Sequence, residues 1–158
     1  MDRNEIGYRK SIKNNGDIVY ETQWSPYYYA QSKFDVLKKL TEMTGIYVVF
    51  YLNKYKRLAP IMLGAAWYTG LRPSMLRIYD KFAENIIPNE VKNLVENEKI
   101  YYKFLEIYDL EDFIDIFYKC CDIYGEAYID NNGLEKTDRT ERVYLIDHKT
   151  KIFKRSLS

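Results

Sequence analysis

"GIYVVFYLNKYKRLAPIMLGAAWYTGLR", Gly45 to Arg72, is the stretch whose reading decides the fold. Gly45 to Leu52 is β-branched and aromatic almost throughout, and too continuously apolar for a strand with one wet face, so it predicts a central strand. The polar break "NKYKR" and the apolar return "LAPIMLGAA" turn that strand into an antiparallel hairpin. Pro60 has no N–H to give a ladder, which places the start of the return strand at an edge or a bulge. Beyond Thr69 and Gly70, the residues Leu71, Met75, Ile78 and Phe82 recur at helical spacing with Pro73 in the first turn. A helix starting at Gly70 or Arg72 is expected there.

Upstream, residues 1–17 are polar and show no period that would bury a face, which predicts a loose arm. "DIVYETQW" suits a short strand. "SPYYYAQSKFDVLKKLTEM" offers Ser25 as a cap and Pro26 at the first helical position, predicting a helix that ends near Thr44 and Gly45. Downstream, "IIPNEVKNLVENE" predicts a helix capped by Asn89, and "KIYYKFLEIY" a third strand. In "DLEDFIDIFYKCCDIYG", Asp109 is a capping residue with Asp112 three residues on, and Gly125 closes a helix that buries Phe113, Ile116 or Phe117, and Cys120. A polar loop, "DNNGLEKTDRTE", then separates that helix from the short strand "RVYLID" and a basic tail with Lys149, Lys151, Lys154 and Arg155. Helix, hairpin, two helices, strand, helix and strand make an α+β chain: a small central, mainly antiparallel sheet packed with helices.

At 158 residues the chain suits one domain, 1–158. No apolar run has membrane-spanning length and no signal peptide opens it, so a cytoplasmic protein without membrane partners is expected. Cys120 and Cys121 are the only cysteines and His148 the only histidine. Neighbours on a helix diverge by about 100°, so the cysteines read as small apolar residues, not a disulfide or a zinc site. A tyrosine count of 17 is high, and Tyr27, Tyr28 and Tyr29 suit either packing or stacking on bases. Charge is uneven: Lys54, Lys56, Arg57, Arg72, Arg77 and Lys81 face a single acid, Asp80, over residues 54–81, whereas acids dominate residues 106–130. The first run is a candidate anion-binding face, with two solvated faces of opposite sign as the plainer reading.

With these elements in order, the chain resembles the GIY-YIG nuclease superfamily. Gly45, Ile46 and Tyr47 match its first motif. Met62, Leu63 and Gly64 stand at its second, and Arg72 lies eight residues past that glycine, where the family carries an arginine. The resemblance covers residues 45–131, and a GIY-YIG-like core over 25–131 then sits between an N-terminal arm, 1–24, and a C-terminal loop, strand and tail, 132–158. A second register takes Tyr68, Thr69 and Gly70 as the second motif and Arg77 as the arginine, with a longer spacer of 20 residues.

The resemblance implies a phosphodiester-cutting site in which Tyr47 positions or deprotonates water and Arg72 clamps a phosphate. The matches are incomplete: Met62 replaces the second tyrosine, and Phe117 occupies the position of the metal-binding glutamate. Without that carboxylate no metal ligand is expected, and magnesium only if the protein is active. Glu106, Glu111 and Asp115 are the candidate substitutes. The expectation is therefore a module with vestigial catalytic residues that binds nucleic acid or protein. Its partner-binding residues are Gly45, Gly64, Lys54, Lys56, Arg57, Trp67, Tyr68 and Arg77. An active metal-dependent endonuclease with rearranged ligands and a scaffold without a site are the alternatives.

Overall fold

The computed structural model describes residues 6–80, 87–148 and 153–154. In chain order the elements are β1 (Gly7–Ile12), β2 (Ile18–Gln23), β3 (Tyr27–Tyr29), α1 (Lys33–Lys39), β4 (Gly45–Leu52) and β5 (Leu58–Ala66). There follow α2 (Leu71–Leu76) with a 3₁₀ turn at Arg77–Tyr79, α3 (Asn89–Asn97), β6 (Ile100–Glu106) and α4 (Leu110–Ile123). β7 (Tyr128–Asp130), a 3₁₀ turn at Asp138–Arg142, β8 (Val143–His148) and β9 (Phe153–Lys154) complete the order. The fold is α+β. It has two sheets where one was expected: six strands in the order β7-β5-β4-β6-β3-β9, and three in the order β1-β2-β8. Pairing is antiparallel along β5-β4-β6-β3, but β7, β8 and β9 each join in parallel.

β4 is central, as its composition predicts, and Gly45 through Phe50 are buried. Alternation sends Ile46, Val48 and Phe50 to one face, where they pack with Phe113, Ile116 and Phe117 of α4. Tyr47 and Val49 face the other way, toward Val36, Leu71, Met75 and Val91 of the first three helices. Fully burying side chains of this size stabilises by about 1.5–3 kcal/mol each, and it explains why β4 carries no polar residue. The bulge expected near Pro60 is present. Val49 pairs with Met62 and Phe50 with Pro60, so Ile61 is the extra residue.

Three readings of the N-terminal half are corrected. Residues 7–12 are a strand and not a loose arm; β1 and β2 form a hairpin, and β2 buries Ile18, Tyr20 and Thr22. Tyr27–Tyr29 is also a strand, and the helix starts at Lys33, after Ser32 and not Ser25. The reason is side-chain geometry. A strand sends Tyr28 to one face, against Tyr102 (ring centroids 5.6 Å apart), and Tyr27 and Tyr29 to the other, against Phe50 and Tyr101 (5.3 and 5.4 Å). The Ser25 hydroxyl is committed to β6, accepting from the Phe104 N–H at 2.9 Å. The helix start is held by the Asp35 carboxylate, which accepts from the N–H groups of Gln31 (2.9 Å) and Ser32 (3.1 Å). That helix ends at Lys39, short of Thr44.

Downstream corrections are smaller. The residue before α3 is Pro88, with Asn89 already helical. The polar loop after α4 holds the 3₁₀ turn, and Tyr128–Asp130 ahead of it forms β7. α4 behaves as read at its start and on its buried face, where the Asp109 carboxylate accepts from the Asp112 N–H at 2.9 Å and Cys120 is buried, but Tyr124, not Gly125, is its closing cap. It lies in one apolar cluster with both sheets, joined there by Tyr20, Trp24 and Val143 of the small sheet. Phe82, Lys81 and the tail residues Lys149, Lys151 and Arg155 fall outside the described residues, and of Lys154 only the backbone is described.

Candidate functional site

Strand pairing aligns three residues in a row across the sheet: Tyr47 on β4 opposite Gly64 on β5, and Gly64 opposite Asp130 on β7. Gly64 has no side chain, and the Tyr47 ring occupies the space. A Cβ built on Gly64 would lie 2.1 Å from Tyr47 Cζ. The ring thereby reaches across β5 to Arg77, whose Nη2 donates to the Tyr47 hydroxyl at 3.3 Å and to Asp130 Oδ2 at 2.5 Å. Arg77 is itself held by its Nε, which donates to the Ser74 carbonyl at 2.9 Å. Tyr47 is wholly buried, and burial pushes its hydroxyl well above the ordinary tyrosine value, with Arg77 pulling the other way. The result is a closed Tyr–Arg–Asp cluster whose cation is matched by a carboxylate.

Arg72 does not join this cluster. Its Nε donates to the Leu40 carbonyl at 2.8 Å, while the N–H groups of Leu71 and Arg72 donate to the carbonyls of Met43 and Thr41 (2.9 Å each). The start of α2 thus satisfies the carbonyls that follow α1. Gly70 permits this approach. Its φ is +81°, and a Cβ there would lie 2.3 Å from the Glu42 carbonyl oxygen. Of the two registers considered from the sequence, the one ending at Arg77 names the arginine that meets Tyr47.

Phe117 is fully buried in the cluster on the α4 face of β4, whereas Tyr47 faces the other way. The candidate substitute carboxylates are dispersed. Alternation puts Glu106 on the Tyr47 face, beyond Phe104, where the Tyr108 hydroxyl donates to it at 2.7 Å. Glu111 pairs with Arg139. Asp115 is buried between Tyr20, whose hydroxyl donates at 2.6 Å, and Arg139. Among the described residues no three His, Cys, Asp or Glu side chains are grouped as a cation would require. Burial pushes the Cys120 thiol up and that of Cys121 to about 11, so both remain protonated near neutral pH. A magnesium ion, which the family resemblance would imply, is not fitted by these residues.

The remaining expected positions separate. Gly45 is buried between Ala66 and Glu106. Trp67 packs edge-on against Phe113, centroids 5.4 Å apart, and Tyr68 is exposed with its N–H on Asn132 Oδ1 at 3.1 Å. Lys54, Lys56 and Arg57 lie at the opposite end of the β4–β5 hairpin, roughly 20 Å away at the rise of a strand. The 54–81 run is therefore not one basic face: Arg72 and Arg77 are spent at one end, and the exposed cations cluster at the other. At that tip the Asn53 carboxamide accepts from the N–H groups of Tyr55 and Arg57 (3.0 Å each), and Lys56 takes a left-handed φ of 59°. Tyr55 is 70% exposed, with Lys54 Nζ 5.1 Å from its ring centre. Lys99 is brought in from before β6, its carbonyl accepting from the Leu52 N–H at 2.9 Å.

Sequence reasoning missed Asp130 and Tyr55. Asp130 was read as the last acid of the 106–130 run and the first residue of "DNNG", a turn signal, and neither gives a hint of the strand it faces. Tyr55 stood amid cations and could have been noticed there.

Fold and site together define an α+β protein with a closed Tyr–Arg–Asp cluster on one face of its large sheet and an exposed basic, aromatic hairpin tip. A family model described as "Uncharacterised protein" matches residues 7–147, and the chain belongs to that family. No curated protein and no solved structure matches the chain.

Proposed function

We propose that the protein is a nucleic-acid binding module on a GIY-YIG-like frame that does not cut. The observation that carries this reading is the hairpin tip. Lys54, Lys56 and Arg57 are exposed in the turn with Tyr55, Lys99 is exposed at the same end of the sheet, Asn53 braces the turn, and no ion pair among the described residues engages Lys56, Arg57 or Lys99. Such a tip offers cations for backbone phosphates and one aromatic face for a base. Loss of chemistry is supported by the fate of the motif residues: Tyr47 is sealed under Arg77, Arg77 is neutralised by Asp130, and Arg72 serves the α1–α2 junction.

Fluorescence anisotropy with labelled single- and double-stranded DNA and RNA tests the reading. With three to four phosphate contacts, log K should fall with log salt at a slope of about −3. Lys56→Glu with Arg57→Glu should weaken binding by about tenfold or more, and Tyr55→Ala should weaken single-strand binding selectively. Absence of binding at low salt overturns the proposal. Retained hydrolysis is the competing reading, motivated by the match of Gly45, Ile46 and Tyr47 to the first nuclease motif. Cleavage of linear or branched DNA with magnesium or manganese, abolished by Tyr47→Phe, would establish that reading.

A further inference from the structure

We infer that β8 is a dimerisation strand, through which two copies of the chain pair antiparallel about a two-fold axis at Leu145. β8 ends the small sheet. Among the described residues it pairs only with β2, apart from its first N–H, that of Val143, which donates to the Thr140 carbonyl. From Tyr144 on, one row of its N–H and C=O groups has no strand beside it among the described residues.

The two edges of this sheet differ in how they are guarded. β1 carries Arg9, an exposed cation of the kind that keeps edge strands apart, 4.0 Å from Glu21, while its Lys10 is bound to Asp112. The centre of β8 is Val143, Tyr144, Leu145 and Ile146, without a charge. Its aspartate and its histidine are engaged by partners within the same chain. Asp147 accepts from the Thr22 hydroxyl at 2.7 Å and from the Trp24 indole, and His148 Nε2 bonds Glu21 at 2.7 Å. What remains outward is apolar: Tyr144 and Ile146 are 52% and 51% exposed on the same face.

An uncharged edge needs an uncharged strand, and β8 is itself such a strand. With Leu145 on the axis, Tyr144 lies opposite Ile146 of the second copy and Ile146 opposite Tyr144. These two cross-strand pairs match an aromatic with a β-branched residue. The same register sets Arg142, whose Nε donates to Asp17 of its own chain at 3.1 Å, opposite His148 of the second copy. A one-residue slip would put the Tyr144 and Ile146 face of one copy on the opposite side of the joined sheet from that of the other, so side-chain alternation favours registers that keep parity. The interface is isologous, closes at two copies, and merges two three-stranded sheets into one. It involves no residue of the β4–β5 tip, so its failure and that of the nucleic-acid reading are separable.

Sedimentation equilibrium on the full chain, over roughly a thousandfold concentration range, reads the assembly by mass action. A monomer–dimer equilibrium is expected, little affected by salt. Tyr144→Lys and Ile146→Lys replace half-exposed residues, and each should raise the dissociation constant by about tenfold or more, by removing both aromatic–β-branched pairs and placing two lysines diagonally across the axis. Ile12→Lys, on the exposed β1 edge, should leave it unchanged. Because a lysine variant could also disturb the fold, a second readout uses Tyr144→Cys with Ile146→Cys. Mild oxidation should then give a covalent dimer linking position 144 to 146. A chain that stays monomeric throughout, a dimer indifferent to both lysine variants, open-ended oligomers, or no crosslink would each overturn the inference.

Discussion

The Tyr47 ring lies where a Gly64 side chain would be, and this single close approach lets a buried hydroxyl reach Arg77 across a strand. Gly64→Ala is therefore expected to destabilise by about 1–3 kcal/mol through overpacking. Chemical denaturation checks this, and the penalty should shrink in a Tyr47→Val background, where the ring is gone. The two arginines should separate in the same assay. Arg77→Ala leaves Asp130 without its cation and Tyr47 without its donor, an expected loss of about 2–3 kcal/mol, and Asp130→Asn in that background should recover part of it. Arg72→Ala removes one bond to a helix-end carbonyl, about 1 kcal/mol, with no recovery from Asp130→Asn.

Among the elements, α4 is the one through which the small sheet is fastened. Asp112 accepts from the Tyr8 hydroxyl (2.6 Å) and Lys10 Nζ (2.9 Å), and shares with Asp115 the single proton of the Tyr20 hydroxyl (2.9 Å), all from the β1–β2 hairpin. Burial raises the Asp112 pKa, but those three donors outweigh it and hold the carboxyl below its ordinary value. A carboxylate depressed in the folded state stabilises above its unfolded pKa, and the contribution is lost as pH falls through the folded value. Asp112→Asn should accordingly cost about 1–3 kcal/mol near pH 7. The gap from the native protein should close as pH drops below about 4, the ordinary aspartate value. Urea melts across pH measure this; a gap constant with pH would refute the assignment.

For the molecule as a whole, one apolar cluster takes in Ile18, Tyr20, Trp24 and Val143 of the small-sheet side, α4, and Ile46, Val48 and Phe50 of the large sheet. A shared core implies shared unfolding. Trp24 lies in that cluster and Trp67 at the end of β5, and they are the only two tryptophans. Trp24→Phe and Trp67→Phe variants should each show fluorescence and circular-dichroism melts with coincident midpoints. Separate midpoints would mean that the two sheets unfold independently.

The hairpin of β4 and β5, its bulge near Pro60, and the helix α4 with its Asp109 cap were legible in the residues alone. Each is specified locally, by apolar period, a turn-forming break or a capping side chain within a few residues. The tyrosine strand β3 was not, because its rings are placed by Phe50, Tyr101 and Tyr102, far along the chain. The same holds for the second sheet, whose β2–β8 pairing joins residues more than a hundred positions apart. At the site, the sequence by itself determined Tyr47, Gly64 and two candidate arginines. Only the tertiary structure decided which arginine meets the tyrosine and that Asp130 closes the cluster, because those contacts depend on strand register and helix docking, which no local pattern encodes.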